Sequence, residues 1–361
     1  MIPFIDLTRD KDDMKLIKTR INRILDKGHY ILGNEVKSFE DEFAGFTGHK
    51  HAIGVGSGTD ALAMIFKSVN AGTTGICAAA PLPCGQAARI AGSDIVFIDS
   101  RPDNSGLLSI EDLESNADKI DTLLAVHLYG TPEYMDTVNE ICRDNDITVI
   151  EDCSQSAGTY INGKHTGGFS IASAFSFYPT KNLGAMGDAG MIVTDSSRLA
   201  EEYSKMRNYG QSDIYAGEMF GVNSRLDELQ ASVLNVRLKS IETKNSRRRS
   251  IAEYYSKHID NELITLPPER YFQYGNMHIF PLFTEKREDL KQYLTANNIG
   301  YSVHYPVPLS EQKAFSNYHR HCPNAKRLSS SELSIPIFPD LTDSEVKTIV
   351  NVLNGFSDEC R

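Results

Sequence analysis

Between His51 and Asp195, short apolar runs alternate with stretches whose apolar residues recur every three or four positions. The runs HAIGVG, DIVFID, TLLAVHL, ITVIED, ASAFSFY and GMIVTD are rich in Val, Ile, Leu and Phe, which predicts strands. DALAMIFKSV and PEYMDTVNEICRDN carry the helical period instead. Apolar strands separated by helices predict an α/β fold with a mainly parallel sheet covered on both faces. Sheets of that kind take ligands at the carboxyl ends of their strands.

Further on, SRLDELQASVLNVRLKSIETKNSRRRSIAEYYSKHI predicts one long helix or a broken pair, starting at a Ser224 cap. After the LPPE turn near Pro267 the pattern thins to a strand at HIFPLFT and helices at REDLKQYLTANN and TDSEVKTIVNVLN. The expected organisation is a large α/β domain over 13–240 and a small α+β domain over 241–361, joined by an N-terminal arm, 1–12. No repeat or low-complexity segment interrupts it.

Composition narrows the function classes. A net charge of -11 leaves no basic excess to neutralise phosphates, which argues against a nucleic acid or an acidic membrane as partner. The local exception, NSRRRS, reads as the solvated face of a helix. MIPFIDLTRD has no signal-peptide pattern and no apolar run approaches the roughly 20 residues of a membrane span. Six cysteines (77, 84, 142, 153, 322 and 360) without CxxC spacing fit reduced thiols in a cytoplasm better than disulfides or zinc. HRHC, from His319 to Cys322, reads as a surface loop, and no metal site is expected.

Three stretches carry candidate chemistry. GVGSGTDAL joins a strand to a helix, where glycines and a helix N-terminus suit either a tight turn or a phosphate cradle with Thr59. VIEDCSQSAG puts Glu151, Asp152 and Gln155 at a strand end, where a carboxylate is a metal ligand, a helix cap or the partner of a protonated ring nitrogen. SFYPTKNLGAMGDAG sets Lys181 after a buried strand. A partly desolvated amine resists protonation, as a Schiff-base nucleophile must, although strand-end lysines are commonly structural. Together the three supply what pyridoxal 5′-phosphate requires: a phosphate anchor, an acid for the ring and an amine for the imine. Ser176 offers a second phosphate donor, and the glycines after Lys181 read as room for cofactor and substrate.

With these motifs in order, and with GHYILGNEVKSFEDEFAGFTG, AVHLYGTPEYMD, MRNYG, GVNSRLDELQA and VHYPVPL, nearly the whole chain resembles the DegT/DnrJ/EryC1/StrS nucleotide-sugar aminotransferases. The resemblance implies an aspartate-aminotransferase-like fold (fold type I). It implies that Lys181 forms the Schiff base with pyridoxal phosphate, Asp152 pairs with the ring nitrogen and Gln155 lies near the 3′-oxygen. Gly58, Thr59 and Ser176 would hold the phosphate, with Asn223 reaching it from the other subunit of a homodimer with shared sites. Tyr30, Tyr178, His304 and Tyr305 fall in motifs that face the sugar nucleotide, although each could equally be a packed core residue.

One segment departs from the family pattern: ICAAAPLPCGQAARI, Ile76 to Ile90, lacks the aromatic expected over the cofactor ring and has Pro81 or Leu82 roughly there. VHYPVPLSEQKAF resembles enzymes that aminate dTDP-3-keto-6-deoxyhexoses with L-glutamate as donor. The alternative is C4 amination of a UDP- or dTDP-4-keto sugar. Lys181 speaks against the related dehydratases, which have histidine there. A regulatory homologue and a dinucleotide oxidoreductase are the competing classes. Among settings, assembly of cell-surface polysaccharide such as lipopolysaccharide O-antigen is preferred to antibiotic-sugar synthesis.

Overall fold

The computed structural model describes residues 1–11, 13–213 and 216–358; Cys360 lies outside them. Seven strands make one sheet: β1 (His51–Val55), β2 (Thr73–Cys77), β3 (Asp94–Ile98), β4 (Thr122–Val126), β5 (Thr148–Asp152), β6 (Ser173–Ser176) and β7 (Gly190–Thr194). Their order is β1-β7-β6-β5-β4-β2-β3. The pairs from β6 across to β3 are parallel, while β7 runs antiparallel to both β1 and β6. All five residues of β4 and of β7 are buried, which is why these strands read as unbroken apolar runs. Only β2 was not expected, because Thr-Thr-Gly dilutes its apolar signal.

Register levels the strand ends where chemistry was expected. Val55 and Ser176 both stand opposite Gly190, and Asp152 stands between Val126 and Ala174. Helices α2 (Asn34–Thr47), α3 (Gly58–Ser68) and α4 (Leu82–Ala91) flank these strands, while α1 (Met14–Lys27) packs on the later helix Glu228–Leu238. On the α2 side, Phe39 meets Phe177 edge-on at 5.3 Å and Phe43 meets Phe175 at 5.0 Å, so the aromatics on β6 and just beyond it lock against the helix.

The later helical stretch is a broken pair, Glu228–Leu238 and Ile241–His258. It starts at Asp227, not at a Ser224 cap: the Ser224 hydroxyl instead donates to Asp60 at 2.7 Å and accepts from the Gly56 amide at 2.9 Å. The NSRRRS run is only partly a solvated face. Arg247 pairs with Asp343 and Arg249 with Glu242, but Arg248 is buried and donates to the carbonyls of Met277, His278 and Ile337. Beyond Pro267, Phe280–Phe283 pairs antiparallel with Glu332–Ile335, with helices at Arg287–Ala296 and Asp343–Asn354.

The N-terminal arm is fastened along this part. Ile2 bridges to Ile299, Arg9 forks onto Glu345 and Asp10 takes both Arg237 and Lys244. His319 and His321 are exposed, as expected of a surface loop, while Cys322 is buried. The five described cysteines carry no disulfide, and no helix among the described residues is long and apolar enough to cross a membrane.

Candidate active site

The carboxyl ends of β1, β4, β5 and β6 open into one cavity of about 350 Å³. Gly58, Thr59, Asp152 and Gln155 line it, and so do Ser176, Tyr178, Lys181 and Tyr305. Three expected residues do not. Tyr30 and Asn223 are exposed on the surface, and His304 is half-buried, its ring nitrogen Nδ1 2.8 Å from Ser334 Oγ. Exposure rules out the packed-core reading for Tyr30 and for Tyr178.

One end of the cavity is formed by the start of α3. Ser57 caps α3 by accepting the Asp60 amide at 3.1 Å, which leaves the Gly58 and Thr59 amides without a partner inside the helix. Gly58 is a glycine because a Cβ there would press on the Cβ of Ser176 at 2.8 Å. That contact sets the start of α3 against the end of β6.

Asp152 lies at the end of β5. Its Oδ1 accepts the Ser154 amide at 2.9 Å and its Oδ2 accepts the Cys84 thiol at 3.2 Å. Gln155 is held from two sides: its Oε1 accepts the Tyr129 amide at 2.6 Å, and its Nε2 donates to the Tyr305 hydroxyl at 3.1 Å. His127, at the end of β4, accepts the Glu133 amide at Nδ1, so Nε2 carries the proton and donates to Glu151 at 2.9 Å. Glu151 also accepts the Gly167 and Phe169 amides and the Ser170 hydroxyl. Its role is therefore to tie the β4 and β5 ends to the following loop.

Lys181 sits in a loop fixed by its own backbone. Phe177 donates to Ala189, Ala185 to Phe177 and the Lys181 amide to Tyr178 at 2.8 Å. The next residue, Asn182, donates to Asn245 and to the Asn276 carbonyl and accepts from His278. Burial lowers the Lys181 ammonium to about 8, against the opposing pull of Asp152 and Cys84. The glycines that follow do not leave room for ligands as expected. A Cβ on Gly184 would strike the Pro179 carbonyl and one on Gly190 the Ser57 carbonyl, so their space is filled by the chain itself.

A model of the DegT/DnrJ/EryC1/StrS aminotransferase family matches residues 11–354. This chain belongs to that family. Among the DegT/DnrJ/EryC1/StrS relatives, the dTDP-3-amino-3,6-dideoxy-alpha-D-galactopyranose transaminase of Aneurinibacillus thermoaerophilus is 38% identical over 99% of both chains. The UDP-N-acetyl-3-dehydro-alpha-D-glucosamine 3-aminotransferase of Acidithiobacillus ferrooxidans is 34% identical over 98% of this chain and 97% of its own. Among solved structures, Streptomyces venezuelae DesV in complex with a ketimine intermediate superposes with a TM-score of 0.95 at 33% identity, covering 99% of each chain. The protein is thus an aminotransferase of sugar nucleotides with the fold of this family.

The aminotransferases of this family depend on pyridoxal phosphate, and the donor set of the cavity fits that cofactor. Unpartnered helix amides and hydroxyls suit its phosphate, a carboxylate suits its ring nitrogen, and an amine of lowered basicity suits its aldehyde. The wall formed by the atypical segment is aliphatic: Pro81, Leu82 and Pro83 line the cavity. Sequence reasoning missed Cys84, Tyr129 and His127. Apart from Glu133 near His127, their partners are distant in the chain, and no local spacing marks them.

Proposed function

We propose that this protein transfers the amino group of L-glutamate to carbon 3 of a dTDP-linked 3-keto-6-deoxyhexose, giving 2-oxoglutarate and the 3-amino sugar. The observation that carries the class of chemistry is the meeting of Lys181, Asp152 and the start of α3 in one cavity. The choice of carbon and nucleotide rests on the 38% identical relative, whose name specifies a dTDP-3-amino sugar, and on VHYPVPL.

Pyridoxal phosphate, when bound, supplies the carrier for the amine and the sink for the electrons released with the donor's proton. Gly58, Thr59 and Ser176 would hold its phosphate, together with Asn223 of the partner subunit in a homodimer. Lys181 would hold its aldehyde through the side-chain amine. The Lys181 amine would be the base for the donor's alpha proton: burial lowers it to about 8, so more of it is neutral near pH 7 than of an ordinary lysine. Asp152 keeps the ring nitrogen protonated, and Gln155 lies at the 3′-oxygen. Tyr178 and Tyr305 face the sugar from within the cavity, with Tyr30 and His304 farther out.

A UDP-linked 3-keto sugar is the second reading, favoured by the 34% identical relative. Incubation with L-glutamate and each of the dTDP-3-keto, UDP-3-keto and 4-keto sugars, followed by mass spectrometry of the product, separates the readings. Product from 4-keto sugars alone overturns the assignment to carbon 3.

A further inference from the structure

We propose that Cys84 is a positioning residue that aims the Asp152 carboxylate at the ring nitrogen of the cofactor; this rests on the pyridoxal phosphate reading above. Asp152 is buried, and each of its oxygens carries one donor from a different part of the chain. The Ser154 amide takes Oδ1 from within the same loop. The Cys84 thiol takes Oδ2 from α4, in the segment that departs from the family pattern. With both oxygens tethered, turning the carboxylate plane breaks one or both bonds, yet each oxygen keeps a second lone pair for a ligand.

The tether is itself anchored. Beside Cys84, a Cβ on Gly85 would press on Phe315 Cζ at 2.6 Å, and the Leu309 amide donates to the Ala78 carbonyl at 2.7 Å just before α4. The helix therefore cannot slide along the cavity wall without displacing both. The thiol is fully buried, and burial together with the Asp152 charge pushes its pKa well up, so the sulfur stays a donor. A thiol is a weak donor, which suits orienting a carboxylate without neutralising it.

The experiment titrates apoprotein with pyridoxal phosphate and with its analogue bearing C–H in place of the ring nitrogen. Cys84→Ala should bind pyridoxal phosphate about five- to tenfold more weakly while its affinity for the carbon analogue stays within about twofold of the parent. Cys84→Ser, which keeps a donor, should bind both ligands nearly as the parent does. If the alanine variant fails to melt cooperatively, Cys84→Val, which fills the site with an apolar side chain and drops the donor, takes its place. Equal affinity of parent and variant for pyridoxal phosphate, or an equal loss for both ligands, overturns the positioning role. Failure of the parent itself to bind pyridoxal phosphate overturns the cofactor reading instead.

Discussion

Gly190 lies flat against Ser57, so close that a Cβ on the glycine would overlap the Ser57 carbonyl group. The contact joins the first residue of β7 to the cap of α3, two pieces of backbone that cannot move apart without breaking the pairing of Gly190 with Val55 and Ser176. Gly190→Ala should therefore lower stability by about 2 to 3 kcal/mol and weaken cofactor binding at the α3 end. Urea denaturation and cofactor titration measure both; a variant as stable as the parent would show that the contact is slack.

Lys181 reacts with an aldehyde only as the neutral amine. Its folded value of about 8 lies below the 10.5 of an unperturbed lysine, so the folded chain binds this proton more weakly than the unfolded one. Two consequences have the same sign. Capture of pyridoxal phosphate by apoprotein should speed up as pH rises through 8, and the burial penalty on this group should fade between 8 and 10.5. Stopped-flow absorbance gives the first; a rate that does not rise as pH passes through 8 rules it out. Lys181→Ala should show no absorbance change on mixing with pyridoxal phosphate and no transamination.

The fork from Arg9 onto Glu345 fastens the N-terminal arm, and with the Thr342 bonds it lowers the Glu345 carboxyl from 4.5 to about 2. A lowered acid contributes stability above its unfolded value and loses it as pH falls through its folded one. Arg9→Ala should cost about 1 kcal/mol at neutral pH, and the gap to the parent should close between 4.5 and 2. Paired urea titrations across that window test it, and a gap independent of pH would contradict the pairing.

Buried Glu228 accepts the amides of Gly33, Glu35 and Val36 at 2.9, 3.0 and 2.8 Å, capping α2 from a helix far along the chain. The Glu228 amide in turn donates to the Tyr30 carbonyl. Removing the acceptor with Glu228→Ala strands three amides and should cost about 3 kcal/mol, while Glu228→Gln should lose less because one acceptor oxygen remains. If Tyr30 meets the sugar nucleotide, Glu228→Gln should also raise KM for the sugar without changing affinity for pyridoxal phosphate. Thermal melts and steady-state kinetics separate the two effects.

What the sequence revealed follows from where each signal is stored. Six strands of the sheet were legible from their apolar runs, and Asp152 stood out as a charged group at the end of one such strand and Lys181 as one just beyond another. Ser224 was misread because its hydroxyl is claimed by Asp60 and Gly56, residues no local window contains. Arg248 was hidden inside a charge run, although it shares a helical face with buried Ile241, Asn245, Ile251 and Ala252. Cys84 left no trace at all, since a small apolar residue in a helix looks the same whether or not its sulfur meets a carboxylate.

The reversal of β7 has a practical consequence. Because Ser176 and Gly190 stand opposite each other, the loop bearing Lys181 leaves and rejoins the sheet at neighbouring points. In engineering terms it is a cassette with adjacent splice sites. A loop from another aminotransferase of this fold could be inserted there without re-registering a strand, provided the junction keeps the serine and the glycine that form it.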